Sequence, residues 1–165
     1  MTDRLLATAT YLFHFSMKDQ FFIEVIELLK KESKCVSRKV AALIVKDDRI
    51  ISTGYNGTLS RTPNCCDFFD ADSFDRETHH AWSLKNEIHA EQNAIAVAAK
   101  NGIGLDGCTC YSSLQPCNTC LLLLAQTGIK RIVYVETYDK SDYHQDILTA
   151  LQTLGVELVQ YKKII

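Results

Sequence analysis

The spacing of apolar residues along the chain predicts where helices and strands alternate. Phe22, Ile26 and Leu29 recur at the three- and four-residue intervals of one helical face. Two short apolar runs on either side of the polar residues 46–49 predict a β-hairpin. The predicted helices cover residues 17–34, 87–100, 117–126 and 145–154, and the predicted strands cover residues 40–45, 50–52, 108–112, 131–135 and 156–161.

The order of these elements predicts an α/β fold. The last three strands are joined through helices, which makes neighbouring strands parallel with right-handed crossovers. We therefore expect three layers, α/β/α, around a five-stranded mixed sheet. One domain would occupy residues 17–165, after an N-terminal extension at residues 1–16. The polar residues 58–80 predict an irregular loop. A loop this long in a compact domain usually has a function or is held in place by other groups.

Composition and charge narrow the class of protein. The 165 residues are 47% hydrophobic and 23% charged, as in an ordinary folded protein. The net charge of −2 offers no basic surplus for holding long nucleic acid. No apolar run approaches the roughly 18 residues of a membrane span, and no signal-peptide cleavage site is recognisable. We expect a cytoplasmic protein without nucleic-acid or membrane partners, whose seven cysteines are metal ligands or buried thiols.

Two short motifs carry candidate chemistry. His89-Ala90-Glu91 lies near the start of one predicted helix, and Cys117 and Cys120 open the next one. Being three residues apart, the two thiols share one face of a first helical turn, where the helix dipole stabilises thiolates. One imidazole and two thiolates predict a zinc site with its fourth position open to water, as in catalytic centres. Glu91 is expected near the metal but not as a ligand.

Three further stretches complete a family resemblance: residues 54–57 (Gly-Tyr-Asn-Gly), 85–91 and 128–130. With the zinc motifs, they make the chain resemble the deoxycytidylate (dCMP) deaminases of the zinc-dependent cytidine and deoxycytidylate deaminase family, particularly those of T-even-like bacteriophages. The resemblance runs from about Met17 to the last predicted strand. One position differs from the family pattern: Ala41 stands where the family commonly has glycine. It implies a cytidine deaminase-like fold and zinc-dependent hydrolysis of dCMP to dUMP and ammonia, which supplies dUMP for thymidylate synthesis.

The resemblance also implies roles for individual residues. Glu91 would carry a proton from water to N3 of cytosine and help protonate the departing amine. Asn56 would bind the sugar, and Ala90 would contact the substrate; the alternative for Asn56 is an Asn-Gly turn that needs no ligand. Candidates for phosphate contacts come from two loops, and the alternative for each charged one is a solvated surface residue. These candidates are Ser37, Arg38, Lys39, Tyr138 and Lys140.

A second, structural zinc is a further implication for the long polar segment. The related phage enzymes carry such a metal, and the matching positions here are Cys35, Cys65, Asp75 and His79. Asp75 and His79 are four residues apart, on one face if that segment is helical. His80 could substitute for Asp75, and the alternative to any metal is two buried thiols beside a solvent-facing histidine pair. Cys108 and Cys110 are predicted to be plain strand residues.

Regulation and assembly are the last implications of the resemblance. The family forms homohexamers that dCTP activates and dTTP inhibits, with Mg²⁺ accompanying the triphosphates. The expected effector site lies between subunits and includes Gly54, Tyr55, Asn56 and Gly57. Two glycines would let the backbone approach a ligand closely, and Tyr55 would offer a stacking face. The alternative is a hairpin-end turn without an effector. If the chain is of phage origin, the compartment is the host cytoplasm.

Two other functions share the zinc motifs. A nucleic-acid deaminase, such as a tRNA adenosine deaminase, would use the same zinc core, but the acidic balance of the chain argues against it. A zinc module that serves folding alone would need no carboxylate beside an open site, so Glu91 argues against that alternative.

Overall fold

The computed structural model describes residues 16–138 and 143–162. The predicted N-terminal extension lies outside them, apart from Ser16, which caps the first helix. The helices are α1 (Met17–Leu29), α2 (Arg76–Asn86), α3 (Ala90–Lys100), α4 (Asn118–Gln126) and α5 (Gln145–Thr153). The strands are β1 (Ala41–Lys46), β2 (Arg49–Tyr55), β3 (Thr109–Leu114), β4 (Arg131–Glu136) and β5 (Glu157–Gln160). Among the described residues, no helix is long and apolar enough to cross a bilayer.

The five described strands form one mixed sheet in the order β2-β1-β3-β4-β5. β1 runs antiparallel to both of its neighbours, whereas β3, β4 and β5 are parallel. The predicted sheet is therefore confirmed, including the parallel arrangement of the last three strands. The predicted hairpin turn is also present: Lys46 pairs with Arg49, and Asp47 and Asp48 between them have φ angles of 48° and 61°. Two left-handed residues are the signature of a type I′ turn.

Alternate residues of β1 face opposite layers of helices, which confirms the predicted three-layer arrangement. On one face, Leu43 and Val45 pack in a core with Phe22 and Ile26 of α1. On the other face, Ile44 belongs to the core that contains α3, α4 and α5. β1 is thus buried on both faces, which explains why its sequence is a continuous apolar run.

The prediction of an irregular loop over residues 58–80 is wrong at its end, because α2 begins at Arg76. The helix has no apolar stripe, and its buried side chain is His79, so apolar spacing could not reveal it. The helix predicted from residue 87 begins instead at Ala90. Ile88 is extended and exchanges backbone hydrogen bonds of 2.8 and 3.2 Å with Gly57. The first predicted helix also ends early, at Leu29, and continues as a short 3₁₀ turn.

Candidate active site

Within the described residues, two groups of cysteine and histidine side chains are close enough to share a metal ion. The first cluster consists of His89, Cys117 and Cys120. Nδ1 of His89 lies 3.6 Å from Sγ of Cys117 and 3.4 Å from Sγ of Cys120. Ligands of one tetrahedral zinc ion are separated by about 3.6 Å when Zn–N and Zn–S bonds have their usual lengths. The donor set and its spacing therefore fit zinc.

Two helix N-termini converge to build the first cluster. His89 is the residue that caps α3, and Cys117 is the residue that caps α4, with Cys120 in the first turn of that helix. The side-chain oxygen of Gln92 accepts a hydrogen bond of 3.1 Å from the backbone N–H of His89 and holds the start of α3. Free N–H groups and the helix dipole at such a position stabilise thiolates. The helical location predicted for both motifs is confirmed.

The three side chains of the first cluster have pKa values that are shifted in different directions. A hydrogen bond from Cys120 lowers the pKa of Cys117 to about 4. Cys120 donates that hydrogen bond, and its own pKa is raised for that reason and by burial. The pKa of His89 is raised, chiefly because the ring interacts with the Cys117 thiolate. A lowered pKa at Cys117 favours the thiolate, which is the form of cysteine that binds zinc.

Glu91 lies one residue beyond the start of α3 and is buried, with only 4% of its surface exposed. Its Oε1 accepts a hydrogen bond of 3.0 Å from the Ser112 hydroxyl on β3. Burial raises the pKa of Glu91, against the opposing effect of that hydrogen bond and its own backbone N–H. A carboxyl group in this position can both gain and lose a proton. Ser112 was missed from the sequence, although strand alternation places it on the same face as Cys110.

The second cluster consists of Cys35, Cys65 and His79, all of which are buried. Nε2 of His79 lies 3.7 Å from Sγ of Cys35 and 3.2 Å from Sγ of Cys65. The rings of Phe69 and Phe74 lie 5.1 and 5.2 Å from the His79 ring, centroid to centroid. The cluster is therefore enclosed by aromatic side chains. Burial raises the pKa of both thiols, that of Cys65 to about 12.

The structure does not bring Asp75 to the second cluster. Asp75 precedes α2 as its capping residue, and its exposed carboxylate accepts a hydrogen bond of 2.7 Å from the backbone N–H of Thr78. The Asp75 carboxylate therefore turns back to cap the first turn of α2, and Asp75 does not belong to the group of Cys35, Cys65 and His79 as was expected from the sequence. His80, the alternative, is exposed while its neighbour His79 is buried.

The carboxylate of Glu87 lies next to one member of the second cluster, Cys35. Its Oε2 lies 3.6 Å from Sγ of Cys35, and its buried Oε1 has no hydrogen-bond partner among the described residues. A buried carboxylate oxygen without a partner is costly, and a cation would compensate it. Two thiols and one imidazole supply three donors for zinc, and the Glu87 carboxylate lies beside one of them. Sequence reasoning did not select Glu87 as a candidate ligand, although it lies only two residues before His89.

The loop at residues 54–57 is tied to the catalytic helix and to the segment before β1. The side-chain oxygen of Asn56 accepts hydrogen bonds from the Ser33 hydroxyl at 2.7 Å and the Val40 N–H at 2.8 Å. Its amide nitrogen donates to the Arg38 carbonyl at 3.0 Å. Asn93 of α3 donates to the Tyr55 carbonyl at 2.7 Å. Asn56 thus has a clear scaffold role.

The two glycines of this loop differ. A Cβ atom at Gly54 would overlap backbone atoms of Ala90 and Ala94 on α3, so β2 and α3 touch there. At Gly57 an added Cβ would meet nothing within 4 Å in the described part of the chain. Ala90, a predicted substrate contact, is almost fully buried. Its carbonyl oxygen faces Gly54.

Two of the residues predicted to contact the phosphate, Arg38 and Tyr138, pack against each other. The guanidinium carbon of Arg38 lies 5.2 Å from the centroid of the Tyr138 ring. The backbone N–H of Tyr138 donates to the side-chain oxygen of Gln115 at 3.1 Å, which joins its loop to the end of β3. Ser37 and Lys39 are exposed beside Arg38. Lys140 lies outside the described residues.

Comparison with known proteins decides the family. A family model described as the zinc-binding region of cytidine and deoxycytidylate deaminases matches residues 16–136. The chain belongs to this family. The deoxycytidylate deaminase of Enterobacteria phage T4 is 40% identical over 89% of this chain and 91% of its own length. The T2 enzyme is 38% identical over 90% of this chain and 94% of its own length. These matches confirm the resemblance to T-even phage enzymes.

Solved structures agree with the fold. The dCMP deaminase of cyanophage S-TIM5, solved in complex with dCMP and dUMP, has 31% identity and a TM-score of 0.71. The match covers 90% of this chain and 100% of that chain. A structure from work on A-to-I editing of transfer RNA has 18% identity and a TM-score of 0.57, over 87% of this chain and 99% of that one. That second likeness shows the fold alone. The predicted cytidine deaminase-like fold is confirmed.

Proposed function

We propose that the chain hydrolyses dCMP to dUMP and ammonia. The observation that carries this proposal is the buried carboxyl of Glu91 beside the open Cys/Cys/His cluster. The substrate is inferred from the phage relatives, which are named for that activity and are similar over nearly their whole length. The cyanophage relative holds both dCMP and dUMP, the substrate and product of the same reaction.

In this proposal, His89, Cys117 and Cys120 hold the catalytic zinc ion. When bound, zinc supplies Lewis acidity that activates water for attack on C4 of cytosine. Glu91 accepts a proton from that water and transfers it to N3 of the base, and it later helps protonate the departing amine. The burial that raises the pKa of Glu91 supports this role, since the same carboxyl must accept and release protons near neutral pH.

Recognition of a nucleotide requires groups for the sugar and the phosphate. We assign the sugar to the free amide hydrogen of Asn56, whose side chain is already oriented by three other hydrogen bonds. Arg38 and Tyr138, which contact each other, are the favoured phosphate contacts, with Ser37, Lys39 and Lys140 as further candidates. A nucleoside would leave these groups unpaired, so dCMP should be strongly preferred over deoxycytidine.

Ammonia release from a panel of substrates tests the proposed function. The purified protein is incubated with dCMP, deoxycytidine, CMP and a tRNA at the same concentration. We expect turnover of dCMP with a far higher kcat/KM than deoxycytidine. Equal kcat/KM values for dCMP and deoxycytidine would show that the protein is a nucleoside deaminase and that the proposed nucleotide substrate is wrong. Release from tRNA alone would favour the nucleic-acid alternative.

We also propose a second, structural zinc ion, held by Cys35, Cys65, His79 and Glu87. Support comes from the three buried donors Cys35, Cys65 and His79 and from the unpartnered Oε1 of Glu87 beside them. The backbone N–H groups of Ser37 and Arg38 also face the Cys35 sulfur. A closed set of four protein ligands leaves no position for water, which is the pattern of structural sites.

Regulation and assembly form the last part of the proposal. We propose that the chain forms a homohexamer, that dCTP with Mg²⁺ activates it, and that dTTP with Mg²⁺ inhibits it. The reaction would supply dUMP for thymidylate synthesis in the host cytoplasm. The supporting contact is the Asn93 hydrogen bond to Tyr55, since a ligand that shifts residues 54–57 also shifts the helix that carries Glu91. The mass of the protein in solution tests the hexamer. Saturation curves for dCMP, measured with and without each triphosphate, test the regulation. If neither triphosphate changed the curve, the proposed regulation would be wrong.

A further inference from the structure

We propose that Ser112 is a positioning residue that holds the Glu91 carboxylate in its reactive orientation. The Ser112 hydroxyl donates to Oε1 of Glu91 at 3.0 Å, and both side chains are buried. This inference rests on the proposed function, because it concerns how the proposed proton carrier is held. It adds to the site a residue on the sheet, whereas the cluster residues and Glu91 lie at helix starts.

The need for such a partner follows from the position of Glu91. A glutamate has three side-chain torsions, and at the start of α3 the helix backbone does not determine where its carboxylate points. Proton transfer requires the carboxylate oxygen to lie within hydrogen-bond distance of both water and the base. A displacement of about 1 Å at such a site can cost about a hundredfold in rate.

Ser112 is suited to this task because its own position is rigid. It lies in the central strand β3, where it pairs with Ala42 of β1 on one side and Tyr134 of β4 on the other. Its side chain is completely buried. The hydrogen bond therefore connects the helix that carries Glu91 to the central strand of the sheet.

The neighbouring Ser113 offers a matched control. Ser113 is equally buried, but its hydroxyl oxygen accepts a hydrogen bond of 3.0 Å from the backbone N–H of Ala41. Replacing either serine with alanine removes the same oxygen atom and one buried hydrogen bond. Only the Ser112→Ala substitution removes a contact to Glu91, so a general packing effect would appear equally in both variants.

The test compares steady-state kinetics with dCMP for the wild type, Ser112→Ala, Ser113→Ala and Ser112→Thr. We expect Ser112→Ala to lower kcat about ten- to a hundredfold with KM changed less than about threefold. Ser113→Ala should keep kcat within about threefold, and Ser112→Thr, which restores a hydroxyl, should recover part of the loss. Equal losses in Ser112→Ala and Ser113→Ala, or a Ser112→Ala variant as active as the wild type, would overturn the inference.

Crystal structures of the same variants separate this inference from the proposed function. In Ser112→Ala the Glu91 carboxylate should leave its wild-type position, while in Ser113→Ala it should stay there. An unmoved Glu91 in Ser112→Ala would overturn the positioning role whatever the substrate is. A displaced Glu91 would support it even if the wild type did not act on dCMP, in which case the proposed function alone would fail.

Discussion

The two clusters use the same ligand types in opposite surroundings. Both contain two cysteines and one histidine, but His89 of the first cluster is exposed and His79 of the second is only 5% exposed. The first cluster is built on two helix starts beside a protonatable carboxyl. The second is enclosed by aromatic rings, and the carboxylate of Glu87 lies beside Cys35. The comparison teaches that the access of water to the fourth position, not the identity of the ligands, separates reactivity from structural support.

Glu91→Gln should produce the largest change at the first cluster. Glutamine is nearly isosteric but cannot carry a proton, so we expect kcat for dCMP to fall by about 10²–10⁴-fold or more. Zinc content by mass spectrometry and the thermal midpoint should stay close to wild type. Deamination within a few-fold of wild type would show that another group carries the proton.

Loss of one thiol from each cluster should separate activity from stability. Cys65→Ser should remove the structural zinc and lower the free energy of unfolding by more than about 4 kcal/mol. Losses of that size are exceptional for point mutations, and loss of a bound metal is one of their few causes. Cys117→Ser should abolish turnover and cost far less stability, because its cluster is open to solvent. Urea unfolding with zinc analysis measures both. If the two variants were equally destabilised, the distinction between the clusters would fail.

Thiol reactivity in zinc-stripped protein that remains folded by circular dichroism should follow the pKa values. A thiol reacts as its thiolate, so at pH 6 Cys117, with a pKa of about 4, is mostly reactive, whereas Cys65, with a pKa of about 12, is not. We expect iodoacetamide to label Cys117 at least about a hundredfold faster. Cys66, which is exposed beside Cys65, reports access in the same peptide map. Faster labelling of Cys65 would contradict the proton assignment.

Substitution of the two competing carboxylates should give the smallest but most specific effect. Glu87→Gln should weaken the second zinc by at least about tenfold, the cost seen when even an indirect partner of a metal ligand is changed. Asp75→Asn should leave both zinc ions in place and loosen only the start of α2. Competition with a chromogenic chelator measures the affinities. A loss of zinc in Asp75→Asn but not in Glu87→Gln would restore the original assignment.

The same contrast explains what could be predicted from the sequence. The first cluster comes from two local motifs, and each residue spacing directly fixes a geometry at a helix start. The second cluster joins residues up to 44 positions apart, with no motif that links them, so only the tertiary fold can bring them together. The spacing of Asp75 and His79 could not show that the Asp75 carboxylate caps α2 by accepting a hydrogen bond from Thr78. Ser112 stayed unnoticed because a buried strand serine has no local signature of function.

Gly54 determines how closely strand β2 can approach helix α3. Every missense change at that position adds at least a methyl group, and a methyl group there collides with the backbone of α3. The neighbouring atoms are main-chain atoms, so no compensating side-chain substitution can make room. Any side chain at Gly54 would therefore have to push the hairpin away from the helix that carries Glu91.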